Sequence, residues 1–279
     1  MATKYWTGAT STAYGTGGNW EAAVVPTTAD HVRLRAASVV AIASNLDQSA
    51  VAIGDFIVES GYTGAIGTAA SGVPTYLQLD PNLFSFAGTG LSYIDLSAAA
   101  IDAKITNTTT PGTGQSGLYL IGSAIANLVV SGGSVGVAAV AGSTAAVTTG
   151  HVNGGTVVFG AGTTLTTLRV NGGLARVQCA LTTVNQHGGT VMTEEIGAIT
   201  TYNAYGGTAI LNSVGTITTL NIFAGASVVM TGNSRARTVT TTVFNPGSSA
   251  SSLSLDPSVV TQTNKPTFAY PCTIRVGGI

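Results

Sequence analysis

Charged side chains are scarce in this sequence. Only 8% of its 279 residues are Asp, Glu, Lys or Arg, and the formal net charge is -1. An ordinary soluble domain has about 25% charged residues, and a mixed charged surface keeps it soluble. We therefore predict that copies of the chain or another protein cover much of the surface; hydration by Thr, Ser and Asn alone is the alternative. The ten Lys and Arg residues are scattered singly, which predicts no nucleic-acid partner.

Long apolar runs are absent as well. Gly, Thr and Asp interrupt Ala and Val throughout, so no run approaches the roughly eighteen residues that a membrane span needs. Met1 to Trp6 lack the apolar stretch of an export signal, so we expect synthesis in the cytoplasm and no membrane contact. The only cysteines, Cys179 and Cys272, are interpreted as buried free thiols, with a disulfide as the alternative.

Groups for catalysis are equally few. Segment 126–247 has only two carboxylates, Glu194 and Glu195, which are adjacent and would therefore face opposite sides of a strand. The histidines share no metal-ligand spacing; they are His31, His151 and His187. We predict that the chain is not an enzyme and binds no metal or cofactor. One cation site stays open, because Asp80 and Asp95 each end a predicted strand and could lie on consecutive coils.

What the sequence does have is a repeat. A motif of two Thr, an apolar residue, any residue, an apolar residue, any residue and two small residues occurs seven times, with some variation. The copies begin at Ala126, Thr148, Thr166, Thr182, Thr200, Thr218 and Thr241, at intervals of 22, 18, 16, 18, 18 and 23 residues. A supersecondary unit that recurs at a nearly fixed period predicts a solenoid.

Within the motif, apolar residues recur with period two, which is typical of a strand with one buried face. The third position holds Leu128, Gly150, Leu168, Val184, Tyr202, Leu220 and Val243, and the fifth holds Val130, Val152, Val170, Gln186, Ala204, Ile222 and Asn245. The fourth is mostly polar and predicted to point outward: Val129, His151, Arg169, Asn185, Asn203, Asn221 and Phe244. The small pair would turn the corner into a second short strand. The predicted fold is all-β, a parallel β-helix.

Three regions follow from this pattern. Residues 1–34 hold both tryptophans, Trp6 and Trp20, which we interpret as an aromatic cap over the first coil, with a ligand-stacking platform as the alternative. Residues 35–249 would form the coils, regular over 126–249. Residues 250–279 contain Asp256-Pro257 and Lys265-Pro266, and we predict that they do not continue the stack but form a second cap or an arm.

One outward column stands out, at the sixth position of the motif. Strands ~4.8 Å apart bring side chains of one column into contact, so asparagines could form a ladder and rings could stack. We predict that this column is a protein interface, with burial in the core as the alternative. In chain order it reads Ser131, Asn153, Asn171, His187, Tyr205, Phe223 and Pro246.

Several motifs resemble those of a known class of protein. The opening combines Trp6-Thr7-Gly8 and Gly18-Asn19-Trp20 with Pro26, Asp30 and Val32, and residues 58–64 read Val-Glu-Ser-Gly-Tyr-Thr-Gly. Together with the repeat, these are similar to β-helical structural proteins of tailed phages. The resemblance implies a non-enzymatic virion component, either a head decoration (cement) protein or a short spike or fibre.

For a decoration protein, the resemblance implies a homotrimer that contacts the major capsid protein and bridges capsomers. The side of the solenoid would be the subunit contact, and one end or the terminal arms would lie on the capsid. A glycan-binding spike or adhesin is the alternative. It would use aromatic residues on exposed loops, with Tyr14, Trp20 and Tyr62 as candidates.

Overall fold

In a computed structural model, the protein divides into two compact units, Met1–Val147 and Thr148–Ile279. The structure describes residues 1–70, 72–96, 101–108, 115–194, 197–245 and 251–268. Within these ranges the regular structure is β-strand, except for two turns of 3-10 helix at Gly17–Asn19 and Glu21–Ala23. The all-β prediction is confirmed.

The first unit is a stack of parallel strands. Strands β1, β2, β3 and β6 pair in that order, β6 pairs with β7 and β8, and β9 pairs with β7, β8 and β10. Strands β4 and β5 form an antiparallel hairpin. The bounds are β1 Thr3–Trp6, β2 His31–Leu34, β3 Asp47–Val58, β4 Thr68–Ala70, β5 Val73–Thr75, β6 Leu77–Phe86, β7 Ser92–Leu96, β8 Ile101–Ile105, β9 Leu118–Val130 and β10 Ser134–Val137.

The second unit contains two files of parallel strands. The odd-numbered strands β13 to β21 pair in one file, and the even-numbered strands β12 to β22 pair in the other. The bounds are β11 Ala145–Val152, which begins in the first unit, β12 Thr156–Phe159, β13 Thr163–Val170, β14 Leu174–Val177, β15 Leu181–Gln186, β16 Thr190–Thr193, β17 Ile199–Ala204, β18 Gly207–Leu211, β19 Ile217–Phe223, β20 Ala226–Met230, β21 Arg237–Asn245, β22 Ser252–Leu255, β23 Val260–Gln262 and β24 Thr267–Phe268. Two strands per coil, stacked in register, confirm the predicted parallel β-helix.

The register of the odd file matches the repeat. Leu168 lies beside Val184, Val184 beside Tyr202, and Tyr202 beside Leu220, all at the third position of the motif and all buried. The fifth position is buried in the same copies, including the polar Gln186. The two inward columns therefore form the core, as predicted.

The seventh copy of the motif begins one residue earlier than predicted. Leu220 lies beside Thr242, so the last interval is 22 residues and the copy begins at Thr240. Thr242 and Phe244 are therefore buried, while Val243 and Asn245 point outward, the reverse of the prediction. The repeat consensus failed here because three consecutive threonines precede the apolar residues, and only packing selects among the alignments. Pro246 and Gly247 lie outside the described residues.

The corner between the two strands of a coil depends on the second small residue of each motif. Gly189 and Gly207 have φ of 64° and 76°, a conformation that glycine adopts without steric cost. A Cβ on Gly207 would lie 2.4 Å from the carbonyl oxygen of Gly189 in the preceding coil. The first small residue has no positive φ, which is consistent with alanine at position 224.

Within residues 251–268 the C-terminal region still pairs with the stack, and the second cap or arm predicted for 250–279 stays a prediction. Strand β22 pairs with β20, and β23 and β24 both pair with β21. Pro257 falls in a turn, where the Ser258 amide donates to Asp256 Oδ1 at 2.9 Å, and Pro266 precedes β24. Proline is tolerated at both places because neither position needs an amide for the strand ladder. Cys272 and the rest of 269–279 lie outside the described residues.

The corner geometry leads to a comparison of two glycine substitutions. Gly207→Ala should destabilise the protein more than Gly225→Ala, because both residues have positive φ but a Cβ on Gly225 meets nothing within 4 Å. Positive φ alone costs alanine about 1–2 kcal/mol, and Gly207→Ala adds a clash with backbone. Urea unfolding of both variants measures the difference. Equal losses of stability would contradict the role of the carbonyl contact.

Candidate interaction surface

The outer face of the odd strands carries two columns of side chains that touch from coil to coil. Burial alternates along β15, β17 and β19, so the fourth and sixth positions of the motif point away from the core. We call this surface the ring-and-amide face; its residues are Asn185, Asn203, Asn221, His187, Tyr205 and Phe223. All six come from the three motif copies that begin at Thr182, Thr200 and Thr218.

The three rings of the sixth position form a continuous stack. The ring centroids of His187 and Tyr205 are 4.7 Å apart with planes at 6°, and those of Tyr205 and Phe223 are 4.5 Å apart at 18°. These separations follow the ~4.8 Å spacing of strands in register. Tyr205 remains 39% exposed. Because both faces of the central Tyr205 ring are covered by its two neighbours, this ring presents its edge and hydroxyl to the outside.

Beside the rings runs a ladder of side-chain amides. Asn203 Nδ2 donates to Asn185 Oδ1 at 2.9 Å, and Asn221 Nδ2 donates to Asn203 Oδ1 at 2.7 Å. A second, shorter ladder joins Asn171 to Asn153 at 2.8 Å in the sixth-position column, as predicted for that column. The three-residue ladder was not predicted, although asparagine at one motif position in three consecutive copies was the signal for it.

The face carries little charge. From β13 to β21, the fourth and sixth positions hold one permanently charged residue, Arg169, which is exposed. His151, further along the same column, has its pKa lowered by partial burial and by the charge of Arg169. Asn245 takes the place beside Phe223 that the sequence assigned to Pro246. The surface is therefore rigid, almost neutral and rich in amide and hydroxyl groups.

A buried polar cluster supports the corner next to the ring stack. Gln186 is 0% exposed; its Nε2 donates to the carbonyl oxygens of Gly189 at 3.1 Å and Thr208 at 2.9 Å, and its Oε1 accepts from the Tyr202 hydroxyl at 2.6 Å. Burial raises the pKa of Tyr202, so this hydroxyl keeps its proton. Since Gln186 immediately precedes His187, the cluster fixes the backbone that carries the first ring.

The predicted cap residues are buried in the first unit. The rings of Trp6 and Trp20 pack edge to face at 5.2 Å, and Tyr14 packs against Trp20 at 4.8 Å. Their polar groups also have partners, since Trp6 Nε1 donates to Val40 O and Trp20 Nε1 to Tyr14 O. Tyr62 is buried too, and its hydroxyl donates to Val40 O at 2.7 Å. The suggestion that Tyr14, Trp20 and Tyr62 stand on exposed loops was wrong.

Sequence reasoning missed the residue that organises the loop after β1. Asn19 is fully buried, and its Oδ1 accepts from the amides of Thr10 at 2.8 Å and Ser11 at 2.7 Å. Its Nδ2 donates to Ser11 Oγ at 2.9 Å and Ala13 O at 2.8 Å. All four hydrogen-bonding positions of the side chain are thus used. No periodic pattern in the sequence marks such a residue.

The proposed pairing of Asp80 and Asp95 does not form. Asp95 lies beside Gln78 and Ile121, whereas Asp80 lies beside Ala52. No group of three or more His, Cys, Asp or Glu positioned to hold a metal occurs among the described residues. Glu194 pairs with Arg176, and Glu195 lies outside those residues. Cys179 is a buried free thiol, and burial raises its pKa to about 11.

Comparison of the chain with family models, curated proteins and solved structures finds no match. In the part of the chain that the structure describes, no helix is long and apolar enough to cross a membrane.

The polar cluster behind the ring stack gives a test by double substitution. Gln186→Leu should destabilise the protein by about 2–3 kcal/mol, because it takes away the acceptor of the buried Tyr202 hydroxyl and removes the side-chain hydrogen bonds to the Gly189 and Thr208 carbonyls. Adding Tyr202→Phe should cost less than the sum of the single changes, since the two side chains share one hydrogen bond. Urea unfolding of the four proteins measures the coupling. Strict additivity would show that the hydrogen bond does not stabilise the corner.

Proposed function

We propose that the protein is a non-enzymatic structural component of a tailed-phage virion, a head decoration (cement) protein that acts as a homotrimer. It would bind the major capsid protein and stabilise the head by bridging capsomers. The observation that carries this proposal is the ring-and-amide face, a rigid and nearly uncharged surface with the exposed Tyr205 at the centre of its ring stack. The resemblance of the opening and repeat motifs to phage structural proteins is the reason for proposing a phage virion.

The order of this face favours binding to another protein. Side chains that are already held by stacking and by amide ladders lose little conformational freedom on association, so less binding energy is spent on ordering them. Aromatic residues are enriched, and charged residues depleted, at the centres of protein interfaces. Tyr205 has this position, flanked by His187 and Phe223 within the stack and by Asn203 in the next column.

The same geometry favours a protein partner over a sugar. A sugar-stacking platform needs an open ring face, but both faces of the Tyr205 ring lie against neighbouring rings. The other aromatic candidates for glycan binding, Tyr14, Trp20 and Tyr62, are buried. The ring edges, the Tyr205 hydroxyl and the asparagine amides suit hydrogen bonding and shape matching against a protein surface.

Cementing requires a body that holds together under tension. In each unit, apart from the β4–β5 hairpin, the strands are joined to neighbouring coils by parallel backbone hydrogen bonds, with apolar columns stacked beneath them. Such a unit transmits a pull through many bonds in parallel, and this property supports a mechanical role.

Binding to capsids tests the proposal. Purified protein should bind emptied, expanded heads of the tailed phage whose genome encodes it, at a fixed ratio to capsid subunits. Tyr205→Lys should weaken this binding by about tenfold or more, because it places a charge in a neutral contact and breaks the ring stack. Cosedimentation of heads with increasing protein measures the affinity and the stoichiometry.

Thr182→Lys is the matched control, since Thr182 is exposed on β15 at the other end of the strand from the rings. It introduces the same charge and should bind heads like the unchanged protein. Absence of saturable binding by the unchanged protein would refute the capsid proposal. Equal binding by Tyr205→Lys and Thr182→Lys would refute the role of the face.

A further inference from the structure

A second outward column, on the even strands of the second unit, is mostly apolar. Val158 lies beside Arg176, Arg176 beside Met192, Met192 beside Ile210, and Ile210 beside Val229. All five are half-buried and alternate with fully buried neighbours, so they point away from the core. We call the apolar members, Val158, Met192, Ile210 and Val229, the apolar ridge. The repeated motif does not predict this ridge, because the motif ends at the corner before the second strand of each coil.

We propose that the apolar ridge is the docking surface for a second copy of this chain. The inference rests on the self-association part of the proposed function and deepens it by naming the surface. It leaves the ring-and-amide face, which is on the other strand file, available for the capsid.

The charges along the ridge support a neutral partner. Arg176 is the one charged residue in the column, and its Nη2 lies 2.8 Å from Glu194 Oε1 and 3.1 Å from Glu194 Oε2. Gln178 Nε2 also donates to Glu194 Oε2 at 3.2 Å. The Arg176 charge is paired within one chain, although its Nε has no hydrogen-bond partner. Covering the ridge with an apolar surface would therefore bury a paired charge and not a single one. A strongly charged partner would find no unpaired charge on the ridge with which to form an ion pair.

The spacing of the ridge side chains supports a second copy of this chain as the docking partner. Its side chains repeat every ~4.8 Å, the distance between neighbouring strands. Side chains of two such columns can interdigitate along their whole length only when both columns have this repeat, as in the dry interface between two stacked sheets. A second copy has the identical repeat. Beside the ridge runs a column of mostly small side chains, and a partner's ridge can pack against its threonine and serine members. The column reads Thr156, Leu174, Thr190, Thr208 and Ser227.

The size of the ridge sets the expected strength of the self-association. Five strands span ~19 Å, so a contact two side-chain columns wide lies below the about 1,000 Å² of total buried area that specific interfaces reach. We therefore expect association that depends on protein concentration, with a dissociation constant on the order of micromolar.

Sedimentation equilibrium of the full chain, over a wide concentration range, tests the inference. The unchanged protein should associate reversibly, and Ile210→Lys should associate at least about tenfold more weakly, because each contact would bury an unpaired ammonium group. Tyr205→Lys is the control, since it places the same charge on the ring-and-amide face and should associate normally. Met192→Gln, a change of similar size, provides a second test of the ridge if Ile210→Lys fails to fold by far-ultraviolet circular dichroism.

The two proposals fail in different ways. A monomer at all concentrations, or normal association by both ridge variants, overturns the ridge as a self-docking surface whatever the capsid experiment shows. Loss of association in Tyr205→Lys with normal association in Ile210→Lys would likewise overturn it, because the ring-and-amide face would then be the self-contact. Reversible association that the ridge variants lose supports the inference even when the protein binds no capsid.

Discussion

The parallel, in-register pairing of each coil with the next is the constraint on which the rest of the structure depends. It fixes a repeat of ~4.8 Å along the axis of the coils, and it brings the same motif position of consecutive coils side by side. Identical or similar side chains then become neighbours without any further folding information. The amide ladder of Asn185, Asn203 and Asn221 and the stack of three rings are direct consequences of this geometry.

Local sequence patterns determine the parts of the fold that could be predicted, and tertiary packing determines the parts that could not. Alternation of apolar residues was enough to predict the strands, the buried columns and the outward position of Tyr205, because period two and a recurring motif are carried by the sequence itself. The register of the last motif copy was not predictable, because Thr240, Thr241 and Thr242 offer equivalent alignments and the burial of Phe244 decides among them. The C-terminal prolines gave no sign of the pairing of residues 251–268 with the stack, since proline excludes only the ladder positions and not the turns between strands.

Two buried polar residues show a further limit to prediction from the sequence. Asn19 and Gln186 each use their side-chain amide to satisfy groups that belong to other segments, and their partners include residues distant along the chain, such as Thr208 for Gln186. Such roles depend on tertiary geometry, so a single residue in the sequence gives no sign of them. For the candidate surface, the sequence therefore indicated which side chains face outward but not what holds them in place. The even-strand ridge was open to prediction from the same alternation that revealed the rings.

Between β13 and β21, the two corners of a coil in the second unit differ in their tolerance of length. The glycine corner between β15 and β16 occupies only 187–189, and that between β19 and β20 only 224–225. The opposite corner varies from 178–180 between β14 and β15 to 231–236 between β20 and β21. Evolution or an engineer can therefore lengthen the chain at this opposite corner without shifting either strand file. Foreign peptides inserted there would be displayed as a regularly spaced array along one edge of the second unit.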